Sequence, residues 1–452
     1  MQPLAAVVIA VVAASGLLVA VARPNRTILP AYAALVPIGS VFKLGVPLPE
    51  PFNTLSSLFG GIAIAAMLLH VVLTRRARIP SLPVGAWLVF LAWSASTALW
   101  ARRPGDVVRE LSIALPLLLL VVIVGILPRE RGDLDRLRIA IVLGGAVVGA
   151  YALFLVATGS SLPTHGFGER FSVASDPGQT NPNQLAATLL LPFVLSLDLV
   201  ITGCRTLRHR AFWRFLGCIT AFMILVPIVL SGSRGGLLAA VIAVLLTLAF
   251  TWWWIVDARR SVVRTATWML LSIVVLATAS YLAVRLAPEG KVAEVLSSDP
   301  IQRVVAGDSG TSGRAEIWTT GLLACERYCG MGAGLGNFPT VYGELFAFSG
   351  AERNVGLERP GHNLYLEVVV ETGVVGLTLL AVALIAEWMA MRTTGRAAPA
   401  LAAVLVALLV VDMFEGFIWF KYFWLPFILI RIAEEAGPGR SATLRETMAH
   451  AA

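Results

Sequence analysis

The sequence has few charged residues and few cysteines for its length. Only 14% of its 452 residues are charged, whereas 58% are hydrophobic and the mean hydropathy is +0.82. Soluble domains carry about 25% charged residues, so this composition excludes a soluble enzyme with one membrane anchor, a disordered chain and a nucleic-acid-binding domain. Four cysteines are too few for a disulfide scaffold. We therefore expect an all-α polytopic membrane protein.

Long runs with few charges predict about 12 membrane-spanning helices, give or take one. The clear runs cover residues 4–22, 57–74, 84–101, 111–127, 139–158, 185–201, 215–230, 235–256 and 266–284. Residues 28–42 and 364–391 are less regular, because the first run contains prolines and the second contains glutamates near both ends. Residues 400–420 and 422–430 predict two spans, or one span and a re-entrant segment.

Arginine clusters determine the predicted orientation. Five clusters, each two spans from the next, lie at 75–78, 129–138, 205–214, 259–264 and 392–396. They all fall on one side of the bilayer, which the excess of basic residues assigns to the cytoplasm. The net charge of +8 fits such loops and anionic lipid. An odd number of spans would place the N-terminus outside.

The predicted outer face has one long segment, of 77 residues, from 285 to 361. We expect a transmembrane helix bundle at 1–284, an outer loop domain at 285–362 that carries part of the site, C-terminal transmembrane helices at 363–434 and a cytoplasmic tail at 435–452. Within the loop domain, residues 315–329 predict a helix. Residues 330–336 (GMGAGLG) predict a flexible turn.

The outer face also lacks several motifs of catalysis. It has no Asp-x-Asp pair, no His or Cys pair with the spacing of metal ligands, and no Gly-x-Ser-x-Gly turn. No Walker motif indicates that the chain uses a nucleotide. These absences predict chemistry without a metal, nucleotide or other cofactor, in which arginines bind the negative charge.

Arg234 is the clearest of the outer arginines. It lies in the sequence SGSRGG between two clean spans. The glycines allow backbone N–H groups to approach an anion, and a guanidinium keeps its charge at a membrane surface. The motif predicts either a pyrophosphate site at the level of the lipid headgroups or an arginine that snorkels beside a glycine-rich turn.

Arg314 lies in the sequence SGRAEIW, where Ser312 is predicted to cap a helix. An arginine in the first turn of a helix is unfavourable to the helix dipole, which suggests that a ligand or a carboxylate holds it. The alternative is a simple salt bridge with Glu316 or another nearby acid.

His362 precedes a long span in the sequence GHNLYLE. An imidazole titrates near neutral pH and can take a proton from a hydroxyl nucleophile, so His362 is a candidate general base. The alternative is a histidine that caps the start of the helix. Glu367 and Glu371 share one helical face, and they can act on His362 only if the helix begins after it.

Two further patterns are weaker. Residues 181–184 (NPNQ) open a span after a polar loop that contains Arg170, and helix capping is the favoured interpretation. Cys325 and Cys329 lie four residues apart in the outer segment. Disulfide geometry within a regular helix is poor, so free thiols and a disulfide both stay open.

These motifs together resemble the O-antigen ligase and polymerase superfamily of bacterial polysaccharide assembly. The pair His362-Asn363, followed by nine residues and Gly373-Val-Val-Gly376, resembles the histidine signature of the ligases. Both arginine motifs precede it in the family's order. Residues 334–338 (GLGNF) resemble the glycine turn before the histidine segment. The motifs cover about residues 181–376, and the span pattern covers the whole chain.

The resemblance implies a GT-C-like helical fold in the bacterial inner (cytoplasmic) membrane, with a long periplasmic segment between late spans and an active site that faces the periplasm. It implies a metal-independent, inverting glycosyltransferase. Such an enzyme moves O-antigen polysaccharide from undecaprenyl pyrophosphate to a sugar hydroxyl of the lipid A–core oligosaccharide. Its other partner is membrane lipid, and it uses neither nucleic acid nor nucleotide.

The resemblance also implies roles for individual residues. Arg234 and Arg314 would hold the pyrophosphate and neutralise the leaving group, and His362 would act as general base or position the acceptor sugar. The other predicted substrate contacts are Arg170, Asn181, Gln184, Asn363 and Glu367.

Three alternatives stay open at this point. A polymerase that joins lipid-linked repeats would share the donor site. A relative that transfers glycan to protein usually has an extra C-terminal domain, whereas only residues 431–452 follow the last predicted span here. A membrane transporter would place ionisable residues in mid-membrane, and the candidates are Asp198, Glu387, Asp412 and Glu415.

Overall fold

The computed structural model describes residues 18–38, 54–75, 81–128, 132–158, 182–204, 209–254, 314–345, 359–416 and 418–434, with a few single residues between these ranges. The described residues are mostly helical and form no strand. Eight of their helices are long and apolar enough to cross a membrane, so the chain is an all-α, multi-pass membrane protein. The count of 12 spans and the GT-C-like arrangement stay predictions. Most of the predicted span 4–22, and all of 266–284, lies outside the described residues.

The helices have the following bounds in chain order: α1 (Ile28–Ile38), α2 (Leu55–Thr74), α3 (Leu82–Ser96), α4 (Pro104–Ile126), α5 (Asp133–Thr158), α6 (Pro182–Thr202), α7 (Arg210–Leu230), α8 (Arg234–Trp254), α9 (Arg314–Tyr328), α10 (Phe338–Leu345), α11 (Leu364–Met391), α12 (Ala398–Val411) and α13 (Lys421–Ala433). The eight long apolar helices are α2 to α8 and α11. Short 3-10 turns lie at Pro24–Arg26, Thr97–Leu99 and Gly395–Ala397.

Helices α6, α12 and α13 lie at the centre of the bundle. Their side chains are apolar on nearly every face, and almost all of them are buried. A helix that is apolar all round is expected in such an interior position. Helix α6 packs against α7, α8 and α12, and α12 packs against α8. The first turn of α6 and the last turn of α12 therefore lie in the same interior region as the start of α8.

Helix α12 ends earlier than the predicted span 400–420. It stops at Val411, and the described residues of the connection that follows, 412–416 and 418–420, are not helical before α13 begins at Lys421. The backbone N–H of Leu364 donates to the carbonyl of Asp412 at 2.9 Å, which ties this connection to the start of α11. The acidic pair Asp412 and Glu415 is thus outside the helices, at the end of the bundle where α11 begins.

Helices α9 and α10 form a small second core against α11. Ile317, Phe338 and Tyr342 are buried there with Val370 of α11. The turn 329–337 between α9 and α10 is held by the α3–α4 connection. Trp100 Nε1 donates to the carbonyl of Gly332 at 3.1 Å. Helix α9 agrees within one residue with the helix predicted at 315–329.

Candidate active site

Four helix starts and one connection converge at one end of the bundle. The helices are α6, α8, α9 and α11, and the connection is 412–416. An added Cβ at Gly235 in α8 would lie 3.2 Å from the ring of Phe414, and one at Gly236 would lie 2.4 Å from the Cβ of Ala186 in α6. The residues that carry the predicted chemistry begin these same helices.

Glu415 is the residue that joins the elements of this site. Its Oε1 accepts hydrogen bonds from Arg314 Nη2 at 2.9 Å and from Asn183 Nδ2 at 2.7 Å. Its Oε2 lies 2.7 Å from Nδ1 of His362. Only 6% of the side chain is exposed. One buried carboxylate therefore contacts side chains from α6, α9 and the start of α11.

The charge of Glu415 is stabilised by these contacts. Burial alone would raise the pKa of its carboxyl group. The hydrogen bond from His362, and the charges of His362 and Arg314, outweigh burial and hold that pKa below its ordinary value. Glu415 is thus a carboxylate at neutral pH.

His362 is held just before α11 in a backbone conformation that is uncommon for a residue other than glycine. Its φ is 48°. Its N–H donates to Oε1 of Glu367 at 3.0 Å, and Trp318 Nε1 donates to the carbonyl of Gly361 at 3.1 Å. The side chain is 28% exposed, and its Nδ1 contacts Glu415.

The alternative in which His362 caps α11 is wrong. Asn363 is the cap: its Oδ1 accepts from the N–H groups of Tyr365 and Leu366 at 3.1 Å each. The helix therefore begins after His362, which is the condition under which Glu367 was expected to act on it. Glu371 lies one turn further along, and its Oε1 accepts from the N–H of Phe338 at 3.0 Å.

Arg314 is the first residue of α9, and its guanidinium contacts a carboxylate. That carboxylate is Glu415, 101 residues away in the chain, which agrees with the predicted carboxylate partner and differs from the alternative of Glu316 or another nearby acid. The side chain is 25% exposed. Because a guanidinium has five N–H donors, Arg314 can bind a second anion while it contacts Glu415.

Arg234 is the first residue of α8, and its side chain is exposed. Ser233 caps this helix, because its Oγ accepts from the N–H of Gly236 at 3.1 Å. Gly232 has a φ of 58°, which allows the tight turn between α7 and α8. The SGSRGG motif is thus a helix–turn–helix junction with its arginine directed away from the core.

Positive charge gathers at this end of the bundle. Each helix start carries a partial positive charge, and four of them lie here with two arginines. Acids also lie here: Glu415, Glu367, which accepts from the N–H of His362, and Asp412 next to the start of α11. The arrangement suits a ligand with several negative charges beside an imidazole that can accept a proton.

The remaining predicted residues divide into two groups. Gln184 lies half-buried in the first turn of α6, next to Asn183. Arg170, Asn181 and the predicted cap Ser312 lie outside the described residues. No group of three His, Cys, Asp or Glu side chains suited to a metal ion occurs within the described ranges. Metal-free chemistry stays a prediction.

Two residues of the site were not predicted to act there. Glu415 was assigned to the transporter hypothesis as a mid-membrane acid, and Asn183 was treated as part of a helix cap. The available signal was the pair of acids, Asp412 and Glu415, that interrupts an apolar run where polar residues are costly.

The fold and the site together describe a multi-pass membrane protein in which His362, Arg314 and Glu415 lie in contact at one end of the helix bundle. Residues 219–381 match the family model described as O-antigen ligase. The match confirms the resemblance to the O-antigen ligase and polymerase superfamily, and it includes Arg234, Arg314 and His362. Glu415 and Asn183 lie outside the matched residues. No curated protein matched the chain.

Proposed function

We propose that the protein is an O-antigen ligase of the bacterial inner membrane. It would transfer a glycan from undecaprenyl pyrophosphate to a sugar hydroxyl of the lipid A–core oligosaccharide, with inversion and without a metal, at a site that faces the periplasm. The observation that carries the proposal is the contact of His362 and Arg314 with one carboxylate beside the start of α8. Both residues lie within residues 219–381, which match the ligase family model.

His362 supplies the base in this mechanism. The imidazole takes the proton of the acceptor hydroxyl as the oxygen attacks the anomeric carbon of the donor sugar. A new C–O bond forms on one face of the sugar while the bond to the pyrophosphate breaks on the other, so the configuration inverts. A positioned general base contributes about 10²–10⁴-fold to such a rate.

The arginines act on the leaving group. The electron pair of the broken bond leaves with the pyrophosphate, which gains negative charge. Arg234 and Arg314 stabilise that charge together with the helix starts of α8 and α9. Because pyrophosphate is already a good leaving group, no nucleotide is required at this step.

The position of the site suits a donor that is a lipid. The helix starts are at the end of long apolar helices, so a pyrophosphate bound there lies at the level of the headgroups while its polyprenyl chain stays in the bilayer. We extend the proposal to the domain organisation: the segment 285–362 would be the periplasmic loop domain that contributes Arg314 to the site.

A polymerase would use the same donor chemistry but a lipid-linked glycan as acceptor. The clean spacing of His362-Asn363 and Gly373-x-x-Gly376 favours the ligase. The two functions differ in their product, so an assay that supplies both acceptors separates them.

The test uses purified protein, a donor glycan on undecaprenyl pyrophosphate, and lipid A–core acceptor, with EDTA present throughout. We expect glycan on the lipid A–core with wild-type protein and little with His362→Ala. Longer glycans on the donor lipid, with the lipid A–core unmodified, would instead establish a polymerase. Activity that appears only in a parallel reaction without EDTA would contradict the metal-free mechanism.

A further inference from the structure

The contact between Glu415 and His362 determines which nitrogen of the ring carries the proton. An ionised carboxylate only accepts hydrogen bonds. Since Oε2 of Glu415 lies 2.7 Å from Nδ1, this nitrogen must be the donor. In the neutral imidazole, the lone pair that accepts a proton is then on Nε2.

The carboxylate cannot rotate freely to release the histidine. Its other oxygen, Oε1, is bound by Arg314 and Asn183, which come from α9 and α6. Two donors on one oxygen and one on the other fix the plane of the carboxylate. The orientation of the imidazole is therefore set by elements outside the helix that it precedes.

The same contacts link the two halves of the proposed reaction. Arg314 is assigned to the leaving group and His362 to the nucleophile, and both bind the same carboxylate. A displacement of Glu415 would change the position of both side chains. When His362 takes its proton, the carboxylate also stabilises the imidazolium that forms.

We propose that Glu415 is the positioning residue of this site: it fixes His362 with the proton on Nδ1, so that Nε2 is the base, and it places Arg314 relative to that base. This inference rests on the proposed function of His362 and Arg314 for its kinetic consequences. Its statement about the ring proton does not depend on any activity.

The first test is kinetic and compares Glu415→Gln, Glu415→Asp and a matched control. Gln keeps the size and an accepting oxygen but removes the charge, and we expect its kcat to fall by about 10²-fold, because a displaced base loses part of its contribution to the rate. Asp keeps the charge on a shorter side chain and should recover part of the loss. Glu344→Gln removes another glutamate that contacts an arginine and a tyrosine, Arg102 and Tyr328, and should keep wild-type activity.

The pH profile distinguishes positioning from a structural role. The charged groups that face His362 or its partner are Glu415, Glu367 of α11 and Arg314 of α9. Removal of the Glu415 charge disfavours the imidazolium, so the acidic limb of the activity profile should move to lower pH by about 1 unit or more. A lower activity with an unmoved limb would contradict the proposal.

The second test needs no substrate. The sequence has five histidines, so ¹⁵N-histidine labelling of the wild-type protein in nanodiscs gives few signals, and His362→Gln identifies the one of interest. We expect His362 to be protonated on Nδ1 at a pH where the ring is neutral. A proton on Nε2 would overturn the inference even if the ligase assay succeeds. The expected tautomer without any transferase activity would overturn only the proposed function.

Discussion

At the scale of single residues, the site twice contradicts the rule that cations avoid the start of a helix. Arg234 and Arg314 each occupy the first position of a helix, where the helix dipole disfavours a cation. Arg234 is exposed and Arg314 is half-buried against Glu415, so burial in an apolar core does not explain either position. We expect such unfavourable helix starts where a bound ligand compensates for their cost in stability, and here two of them converge.

We predict that Arg234→Gln lowers kcat/KM for the lipid-linked donor by about 100-fold, because one cation at the leaving group is lost. Steady-state kinetics with varied donor concentration measures this effect. Arg109→Gln is the control, since Arg109 is also exposed on the predicted outer face and contacts Asp106 and Glu110. Equal losses in both variants would show that Arg234 contributes only to the overall surface charge.

At the scale of elements, the glycine turn at residues 330–336 packs against Gly373 of the histidine signature. Helix α11 is interrupted at Gly373, whose φ is 73°. The turn after α9 fills the interruption: Val374 N–H donates to the carbonyl of Cys329 at 2.8 Å, and Gly334 N–H donates to that of Glu371 at 2.9 Å. Gly373, the first glycine of the pair in the histidine signature, thus anchors α9, which carries Arg314, to α11, which follows His362.

We predict that Gly373→Ala destabilises the protein by about 1–3 kcal/mol and lowers activity. A residue other than glycine is strained at this positive φ. The added Cβ would also lie 2.3 Å from the carbonyl oxygen of Gly330. Thermal unfolding in detergent measures the loss of stability. Gly330→Ala is the matched control, because no atom lies within 4 Å of its added Cβ. An unchanged unfolding temperature for Gly373→Ala would contradict the role of this junction.

The turn after α9 also decides between free thiols and a disulfide at Cys325 and Cys329. Cys325 and Cys329 form a disulfide at the end of α9, with Cα atoms 4.4 Å apart. The bond joins the last turn of α9 to the carbonyl that receives Val374 N–H. Disulfides persist in oxidising compartments, which agrees with the outer location predicted for this segment.

The success of the sequence-based predictions depended on how local each signal was. Apolar runs located the long helices, and motif spacing located Arg314 and His362. Glu415 was missed as a site residue because its partner His362 is 53 residues away and because an acid in an apolar run resembles a mid-membrane charge. The helix cap at Asn363 was not predicted, because it depends on the backbone angles of His362. The spacing of apolar residues in the sequence carries no information about those angles.

At the scale of the whole molecule, buried ion pairs fasten the end of the bundle opposite the site. Arg431 of α13 contacts Glu387 of α11 at 2.6 Å, and both side chains are fully buried. Arg138 of α5 contacts Asp198 of α6. Glu387 and Asp198 were candidates for a transport pathway, but the structure places each in an ion pair between helices. The buried charged side chains at this end of the bundle therefore pair with one another and connect neighbouring helices.

We predict that Glu387→Ala destabilises the fold by about 3–5 kcal/mol, because it leaves the buried Arg431 without this carboxylate. The double variant Glu387→Met with Arg431→Met should restore most of the stability, since replacement of both charges is often neutral. Thermal unfolding and the yield of monodisperse protein measure both. A double variant as unstable as Glu387→Ala, or a single variant as stable as wild type, would contradict this account.

The most direct test of the central claim measures donor binding and turnover separately in one set of variants. Undecaprenyl pyrophosphate released from the donor, in the presence of lipid A–core acceptor and EDTA, reports turnover, and binding of labelled donor to protein in nanodiscs reports affinity. We predict that His362→Gln binds the donor like wild type but turns over about 10²–10⁴-fold more slowly, whereas Arg234→Gln loses affinity. Unchanged turnover in His362→Gln would show that the base lies elsewhere.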